Sequence, residues 1–543
     1  MIHQCFDLKS VDFAQLTISI YSGVSGFMQR ITNSLKRPIT LLSVLLLLVP
    51  CLWSLPIAGF APAQAAIYEA DPPESVLTDD IVETELLGTL DFFDGMPSEA
   101  TVQKTYDFID VSRGVDAFLN GIPAASIYAM LEGLIDEDIQ PGDVGIFEGL
   151  MNARSLFLTA NSTTMYVVGE ANVKDGPIVL EIPPGILGTI DDAYFRYVTD
   201  VGNVGPDQGQ GGKYLLVNPD YDGEIPEEVD YVVTTPSYRN WLFFRGFIED
   251  GDLAGTADAI KSVFRTYPLA EASNPPEQRF VNLTDRQMNT IHANDYQFFE
   301  ELNAVIQYEP ADAFDPELLG QFAAIGIKKG QPFAPDERMK NLLTEAVKIG
   351  NAAARSISFS PRKESVYIYP DERQWISFYP GDSHEFFDNG ERVLDDRILF
   401  HYMITGVSPS LVSPPVGSGS VYGMTARDSA GDYLEGDNTY SVTLPNPIPV
   451  NNFWALTVYS GQHRSMLETD QKTAGLDSNN PSVKANPDGS YTMWFGPEAP
   501  IGHEGNWIQT MPGKSYIAML RLYGPLEPWF DQTWIPGDLE LVQ

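Results

Sequence analysis

The sequence predicts a mainly β protein with a helical subdomain: an N-terminal β-sandwich, a central helical region and a C-terminal jelly-roll-like β-sandwich. Three observations carry that expectation. From Leu156 onward, short apolar or alternating runs (TMYVVGEANV, PIVLEIP, AYFRYVTDV, KYLLVNP, VDYVVTT) are separated by Gly, Pro, Asn and Asp, the spacing of antiparallel strands rather than of βαβ units. Between 251 and 394 the apolar period lengthens: in PDERMKNLLTEAVKIG, Met339, Leu342, Leu343, Ala346 and Val347 share one helix face. From 395 to 543 strand-like runs return as TYSVTLP, NNFWALTVYS, SYTMWFG and KSYIAMLRLYG, with NPDGS as the turn before the third.

Taken in order, residues 1–65 read as a signal peptide. Met28 opens a basic stretch with Arg30, Lys36 and Arg37, an apolar run follows from Leu41 to Phe60, and Ala63-Gln64-Ala65 supplies a small-residue cleavage site. A retained anchor is the competing reading, since the run approaches the ~20 residues that span a bilayer; Pro50 and Pro56 within it favour cleavage. The expected location is therefore periplasmic or extracellular, with no stable membrane insertion once the leader is cut. Residues 66–97 read as an irregular acidic segment. From 98 to 250, Ser98 is the expected N-cap of a helix, Pro123 is expected to end it, and ASIYAMLEGLI to form a second helix ahead of the strands.

Both cysteines, Cys5 and Cys51, fall in the leader, so the rest of the chain relies on its core and not on disulfides. Removing the four basic and two acidic residues of 1–65 from totals of 33 and 74 leaves a net charge of −43. Such a charge argues against nucleic acid or anionic membrane as a partner. It favours solubility, and neutral molecules or cations as ligands.

Two long stretches carry a resemblance. FEGLMNARSLFLTANSTTMYVVGEANVKDGPIVLEIPPGILG, FRYVTDVGNVGPDQGQGGKYLLVNPDYDGEIP and FRGFIEDGD resemble the family called domain of unknown function 1254. FWALTVYSGQHRSMLETDQ, NPDGSYTMWFGPEAPIGHEGNWIQT and LRLYGPLEPWFDQTWIPGDLE resemble its companion, domain of unknown function 1214. IHANDYQFFEELN is similar to the link in two-domain members. The resemblance implies the same three-part fold and assigns no activity.

Several residue groups are candidates for chemistry. His463, Ser465 and Asp470 supply the letters of a hydrolytic triad, but no G-x-S-x-G elbow accompanies them, and the family resemblance places threonine where His463 stands. Arg464 is the stronger candidate there, as a clamp for an anion or carboxylate. His292 and Asp295, three apart in IHAND, would share a helix face as a base and its orienting carboxylate; a structural network at a helix start would use the same residues. Asn161, Thr163 and Tyr166 with Arg196, Tyr197 and Asp200, and Asn506, Trp507, Arg521 and Tyr523 in the second β-region, put arginine among aromatic rings. That composition suits sugars or carboxylated small molecules, as well as a buried network between domains. The five histidines beyond the leader show no metal-ligand spacing. Calcium is the one cation the composition invites, at DSAGDYLEGD, but that segment lacks the EF-hand pattern and a hairpin turn is the favoured account of the same residues.

The function expected from these features is binding of a small molecule or glycan in an Arg/Trp-lined pocket between domains, without a cofactor. The alternative is an extracytoplasmic hydrolase, metal-assisted or not, using His292 and Asp295 or a carboxylate cluster.

Overall fold

The computed structural model describes residues 72–542 apart from 249 and 380–382. The expected signal peptide at 1–65 lies outside these residues. The protein is mainly β, with several sheets and a helical group set among them.

Residues 66–97, expected to be irregular, contain a small antiparallel sheet instead: β1 (Ile81–Thr84), β2 (Gly88–Phe93) and β3 (Met96–Pro97). Its strands are largely exposed, with Leu90 buried, so the apolar alternation that announces a half-buried strand is weak. The sheet is tied to the following helix by Thr101, whose Oγ1 accepts from Asp91 N at 2.8 Å and donates to Asp91 O at 3.1 Å.

Ser98 caps the long helix Glu99–Asp136, its Oγ accepting from Thr101 N at 3.2 Å. The helix runs unbroken through Pro123, contrary to expectation. An interior proline costs roughly 3 kcal/mol through a lost hydrogen bond and a ring clash. Here its neighbours Ile122, Ala124 and Ala125 are fully buried, and that packing outweighs the local penalty. The helices Gln297–Tyr308 and Glu337–Phe359 pack against it where small residues admit close approach. A Cβ on Gly114 would lie 2.6 Å from Ala346 Cβ, and one on Gly350 2.7 Å from the Phe118 ring. The face predicted for the 337–359 helix is confirmed, with Leu343, Ala346 and Val347 buried.

After the long helix come β4 (Val144–Ile146), β5 (Ser155–Leu156), β6 (Met165–Asn172), β7 (Ile178–Ile182), β8 (Leu187–Asp191), β9 (Tyr197–Gly202), β10 (Gly212–Val217), β11 (Tyr231–Thr234) and β12 (Arg239–Gly246). Beyond the Leu253–Val263 helix, β13 (Arg265–Pro268), β14 (Phe280–Asn282) and β15 (Met288–Asn289) return to the same region. One sheet has the order β11-β10-β7-β13, another β14-β4-β6-β12-β8-β9. Strands beyond residue 250 thus complete sheets begun before it, because β13 and β14 find hydrogen-bonding edges only on β7 and β4.

The central strand β12 is NWLFFRG with Arg239 before it, and its alternate side chains enter different cores. Leu242 and Phe244 join Val167, Ile190, Leu180 and Leu216 between the two sheets. Trp241 and Phe243 face the other way, into the core formed with the helices and the C-terminal strands. A strand buried on both faces reads as a continuous apolar run.

The C-terminal region contributes β16 (Phe387–Asp388) and β17 (Glu391–Arg392), then β18 (Ser420–Thr425), β19 (Tyr440–Leu444), β20 (Val450–Ser460), β21 (Gly475–Asp477), β22 (Tyr491–Gly496), β23 (Trp507–Gln509), β24 (Tyr516–Pro525) and β25 (Glu540–Leu541). These form sheets β18-β24-β20-β21 and β23-β22-β19-β25. The NPDGS turn is present, with Gly489 at φ 85° and Asn486 N donating to Ser490 O at 2.7 Å. Trp454, Trp529 and Trp534 belong to the core.

Candidate functional site

Strand alternation brings two arginines to the seam between the six-stranded sheet and the β18-β24-β20-β21 sheet. On β12, Phe243 and Arg245 project to the seam, and Arg245 stands opposite Tyr166 of β6. On β24, Met519 and Arg521 do the same, with Arg521 opposite Tyr422 of β18. Period-2 geometry requires this: residues two apart on a strand share a face. Between them lies a cavity of about 40 Å³, bordered also by Asn161, Thr159 and Tyr379.

The walls are held by a polar lattice. Asn161 Nδ2 donates to Tyr166 Oη at 2.7 Å, while Asn161 Oδ1 accepts from Thr163 N at 2.9 Å and Thr164 N at 3.0 Å, shaping the turn before β6. The Thr163 and Tyr523 hydroxyls meet at 3.1 Å across the seam. Arg521 Nη1 donates to Tyr459 Oη at 2.5 Å and to Thr457 Oγ1 at 3.2 Å, and its Nη2 donates to Thr159 O at 2.5 Å. Tyr459 Oη in turn donates to Ala160 O at 2.7 Å.

The electrostatics are one-sided. Arg245 and Arg521 are 8% and 3% exposed, and the charge-bearing or titratable groups acting on them are tyrosines, with no carboxylate of the described residues in an ion pair with either. Burial works against both guanidinium charges, yet the surrounding phenols hold each above the ordinary arginine value: chiefly Tyr422 and Tyr166 for Arg245, and Tyr459 and Tyr523 for Arg521. Tyr422 is only partly buried by its surface. Burial pushes its phenol up, but Arg245, Ser420 and Arg521 together bring it below the usual tyrosine value. Burial dominates for Tyr166 and Tyr523, both raised, Tyr523 to about 12.

Of the residues predicted to bind a ligand, Asn161, Tyr166 and Arg521 meet here, and the others do not. Arg196 donates through Nε to Asp192 Oδ2 at 2.7 Å and through Nη2 to Ala313 O at 2.6 Å, away from the cavity. Asn506 bridges backbone groups of Lys484 and Thr492, and Trp507 Nε1 donates to Gly496 O, both at the β22–β23 edge. The aromatic lining is accordingly tyrosine and phenylalanine, not tryptophan. Asp200 is buried beside Ser408 and Ser410, and burial pushes its carboxyl up to about 7 against those two hydroxyls.

Arg464 is no surface clamp. It is fully buried at φ 60°, its Nε donates to Tyr402 O at 3.0 Å and Nη1 to Gln462 O at 3.1 Å. Ser465 Oγ donates to Ser155 O at 3.3 Å, so its proton is not directed to His463. The loop folds back under the first β-region, where Arg464 O accepts from Thr159 N.

His292 and Asp295 do not form a dyad either. Both precede the Gln297–Tyr308 helix instead of sharing a face of it. The His292 ring is buried, with Nδ1 2.9 Å from Ala293 O, and burial aided by Arg464 lowers its pKa to about 4. Asp295 is exposed and accepts from Gln297 N at 2.9 Å, a helix-start contact. The DSAGDYLEGD segment is a turn: Asp428 Oδ1 accepts from Ala430 N and Asp432 N. Among the described residues there is no cluster of three or more His, Cys, Asp or Glu able to hold a metal ion.

Sequence reasoning missed Arg245, Tyr422 and Tyr379. The available signal was parity: Arg245 is two residues from Phe243 in an apolar strand, where a lone charge on a buried face demands an explanation.

Comparison with known families matches one segment in each half of the chain. Residues 142–268 match the model described as protein of unknown function (DUF1254), and residues 419–527 the one described as protein of unknown function (DUF1214). The chain belongs to the family that joins these two domains. The seam cavity therefore draws Asn161, Tyr166 and Arg245 from the first matched domain and Tyr422 and Arg521 from the second. The crystal structure of the VPA0106 protein from Vibrio parahaemolyticus is similar in fold, with 18% identity, a TM-score of 0.51, and coverage of 80% of this chain and 100% of that one. An uncharacterised protein from Burkholderia cenocepacia aligns over 81% of this chain and 96% of its own at 12% identity and a TM-score of 0.37. No curated protein matches the sequence.

Proposed function

We propose that this is an exported binding protein that takes a small molecule, or the end of a glycan, at the seam between its two matched domains. The observation that supports the reading is the placement of two buried arginines, Arg245 and Arg521, on facing sheets around one cavity. Buried charges cost several kcal/mol each when no opposite charge pairs with them. Hydrogen bonds to hydroxyls and a carbonyl satisfy much of Arg521. Among the described residues, however, neither guanidinium has a carboxylate partner, and an anionic ligand would supply one. Within this reading the first domain is a β-sandwich, since its two sheets share an apolar core, and the second is a jelly-roll-like sandwich built on the two C-terminal sheets. The leader-like 1–65 segment and the absence of cysteine beyond it support export.

The test is a thermal-shift and calorimetry panel of neutral sugars, carboxylic acids and phosphorylated compounds against the intact protein. A ligand that binds only the folded state raises the melting temperature in a saturable way, and the effect should weaken in Tyr166→Phe or Asn161→Ala. A panel with no saturable response would defeat the reading.

A further inference from the structure

We propose that the group recognised at the seam is a carboxylate, held between Arg245 and Arg521, with the rest of the ligand leaving toward Tyr422. This deepens the preceding reading and rests on it.

Three observations converge on that chemistry. The first is charge: both guanidiniums are at least nine-tenths buried, and tyrosines are their titrating neighbours. In a chain with a formal net charge of −41, carboxylates are abundant, yet among the described residues none forms an ion pair with either arginine. An anionic ligand would supply the missing countercharge, and guanidinium forks match the two oxygens of a carboxylate.

The second is size. The cavity is small, about 40 Å³, and it suits a compact group. A carboxylate has three heavy atoms and a phosphate five, so the carboxylate is the more compact of the two oxyanions. The acid end of a larger molecule enters the cavity, and the remainder lies outside.

The third is the arrangement of the walls. Tyr422 lies opposite Arg521 in the strand register and is only partly buried, which marks it as the open side. Phe243, Leu411 and Met519 provide apolar surface for a carbon chain. The lining contains hydroxyl and guanidinium donors but no carboxylate, so a cation finds no anionic partner there.

The experiment is titration of the intact protein with acetate and, at the same ionic strength, with acetamide, its neutral isostere, and inorganic phosphate, by calorimetry. Acetate is expected to bind saturably, with acetamide weaker by about tenfold or more, the equivalent of one lost charge-assisted contact, and phosphate weaker than acetate. Arg245→Gln, whose side chain is not tied to backbone as Arg521 is, should abolish the acetate response. If that variant fails to fold, magnetisation transfer from the acetate methyl to tyrosine ring protons in the unmodified protein gives the same answer, and its absence overturns the inference. Equal binding of acetate and acetamide overturns carboxylate recognition while leaving small-molecule binding at the seam standing. Tighter phosphate binding overturns the choice of oxyanion. If acetate, acetamide and phosphate all fail to bind, the carboxylate inference falls, and the broader panel alone then decides whether the seam binds anything.

Discussion

The guanidinium carbon of Arg464 lies 3.8 Å from the centroid of the Tyr402 ring, and Arg464 Nε donates to the carbonyl oxygen of Tyr402 at 3.0 Å. One side chain thus stacks on a residue and hydrogen-bonds its backbone, pinning the loop after β20 to the Leu394–Met403 helix. Burial holds its pKa down to about 10, with Tyr402 opposing that fall and Arg355 adding to it. Its Nη2 has no partner among the described residues. Arg464 is therefore a structural cation in an apolar setting.

Replacing Arg464 by alanine should destabilise the protein by about 3 kcal/mol, through lost packing and lost backbone contacts. Arg464→Met should cost less, because it keeps most of the volume and removes an incompletely paired buried charge. Urea midpoints measure both. A methionine variant as unstable as the alanine variant would show that the hydrogen bonds, and not the volume, hold the loop.

His292 should make stability depend on pH at the acid side. Its pKa is near 4 when folded, against an ordinary value of 6.5, because of burial and the nearby Arg464 charge. The unfolded chain binds the proton more readily, so this contribution is complete above about pH 6.5 and is lost as pH falls toward 4. The full contribution is about 3 kcal/mol. Asp200, Glu301 and Glu309, each pushed up to about 7 chiefly by burial, act with the opposite sign over a similar window: their share is present below about pH 4 and fades toward 7. The His292 share is isolated by comparing denaturation curves of the wild type and His292→Gln at several pH values. The variant should show a shallower loss on acidification, and an unchanged slope would remove His292 from the account.

Gly350→Val should loosen the helical group. A helix interior normally favours a residue with Cβ over glycine by roughly 0.5–1 kcal/mol, but here the added atom meets Phe118 side-chain carbons at 2.7–3.0 Å. Overpacking of about 1–3 kcal/mol exceeds the propensity gain, so the net effect is destabilising. Thermal unfolding checks the sign, and a rise in melting temperature would mean that Phe118 moves aside freely.

Tyr422 should ionise earlier than the other tyrosines. Burial opposes its phenolate, but Arg245, Ser420 and Arg521 favour it strongly enough to bring it below the ordinary value. Ultraviolet titration should show a phenolate step below that of an ordinary tyrosine, absent in Tyr422→Phe. The depressed value adds stability as pH rises through the folded-state pKa, reaching its full amount above about pH 10. An unchanged titration in the variant would assign the early step elsewhere.

Much of the fold is legible in the residues themselves. The 337–359 helix and the strands β6, β7, β10, β20, β22 and β24 follow from apolar period and turn chemistry, which are local properties. The Ser98 cap is equally local. The unbroken helix through Pro123 was not legible, because the propensity penalty is visible in sequence while the compensating burial of Ile122 and Ala124 is not. His292 and Asp295 misled for a related reason: their spacing has meaning only inside a helix, and the helix begins after them.

The sequence by itself determined the family, the alternation of strand and helix regions, and the residue types fit for a polar site, among them Asn161, Tyr166 and Arg521. Tertiary structure decided which of them meet. Arg245 and Arg521 are 276 positions apart in the chain and share a cavity because two sheets pack face to face. Arg464, with the same chemistry, is sealed against Tyr402. Local sequence sets which side of a strand a residue occupies, and only long-range packing sets what stands across from it.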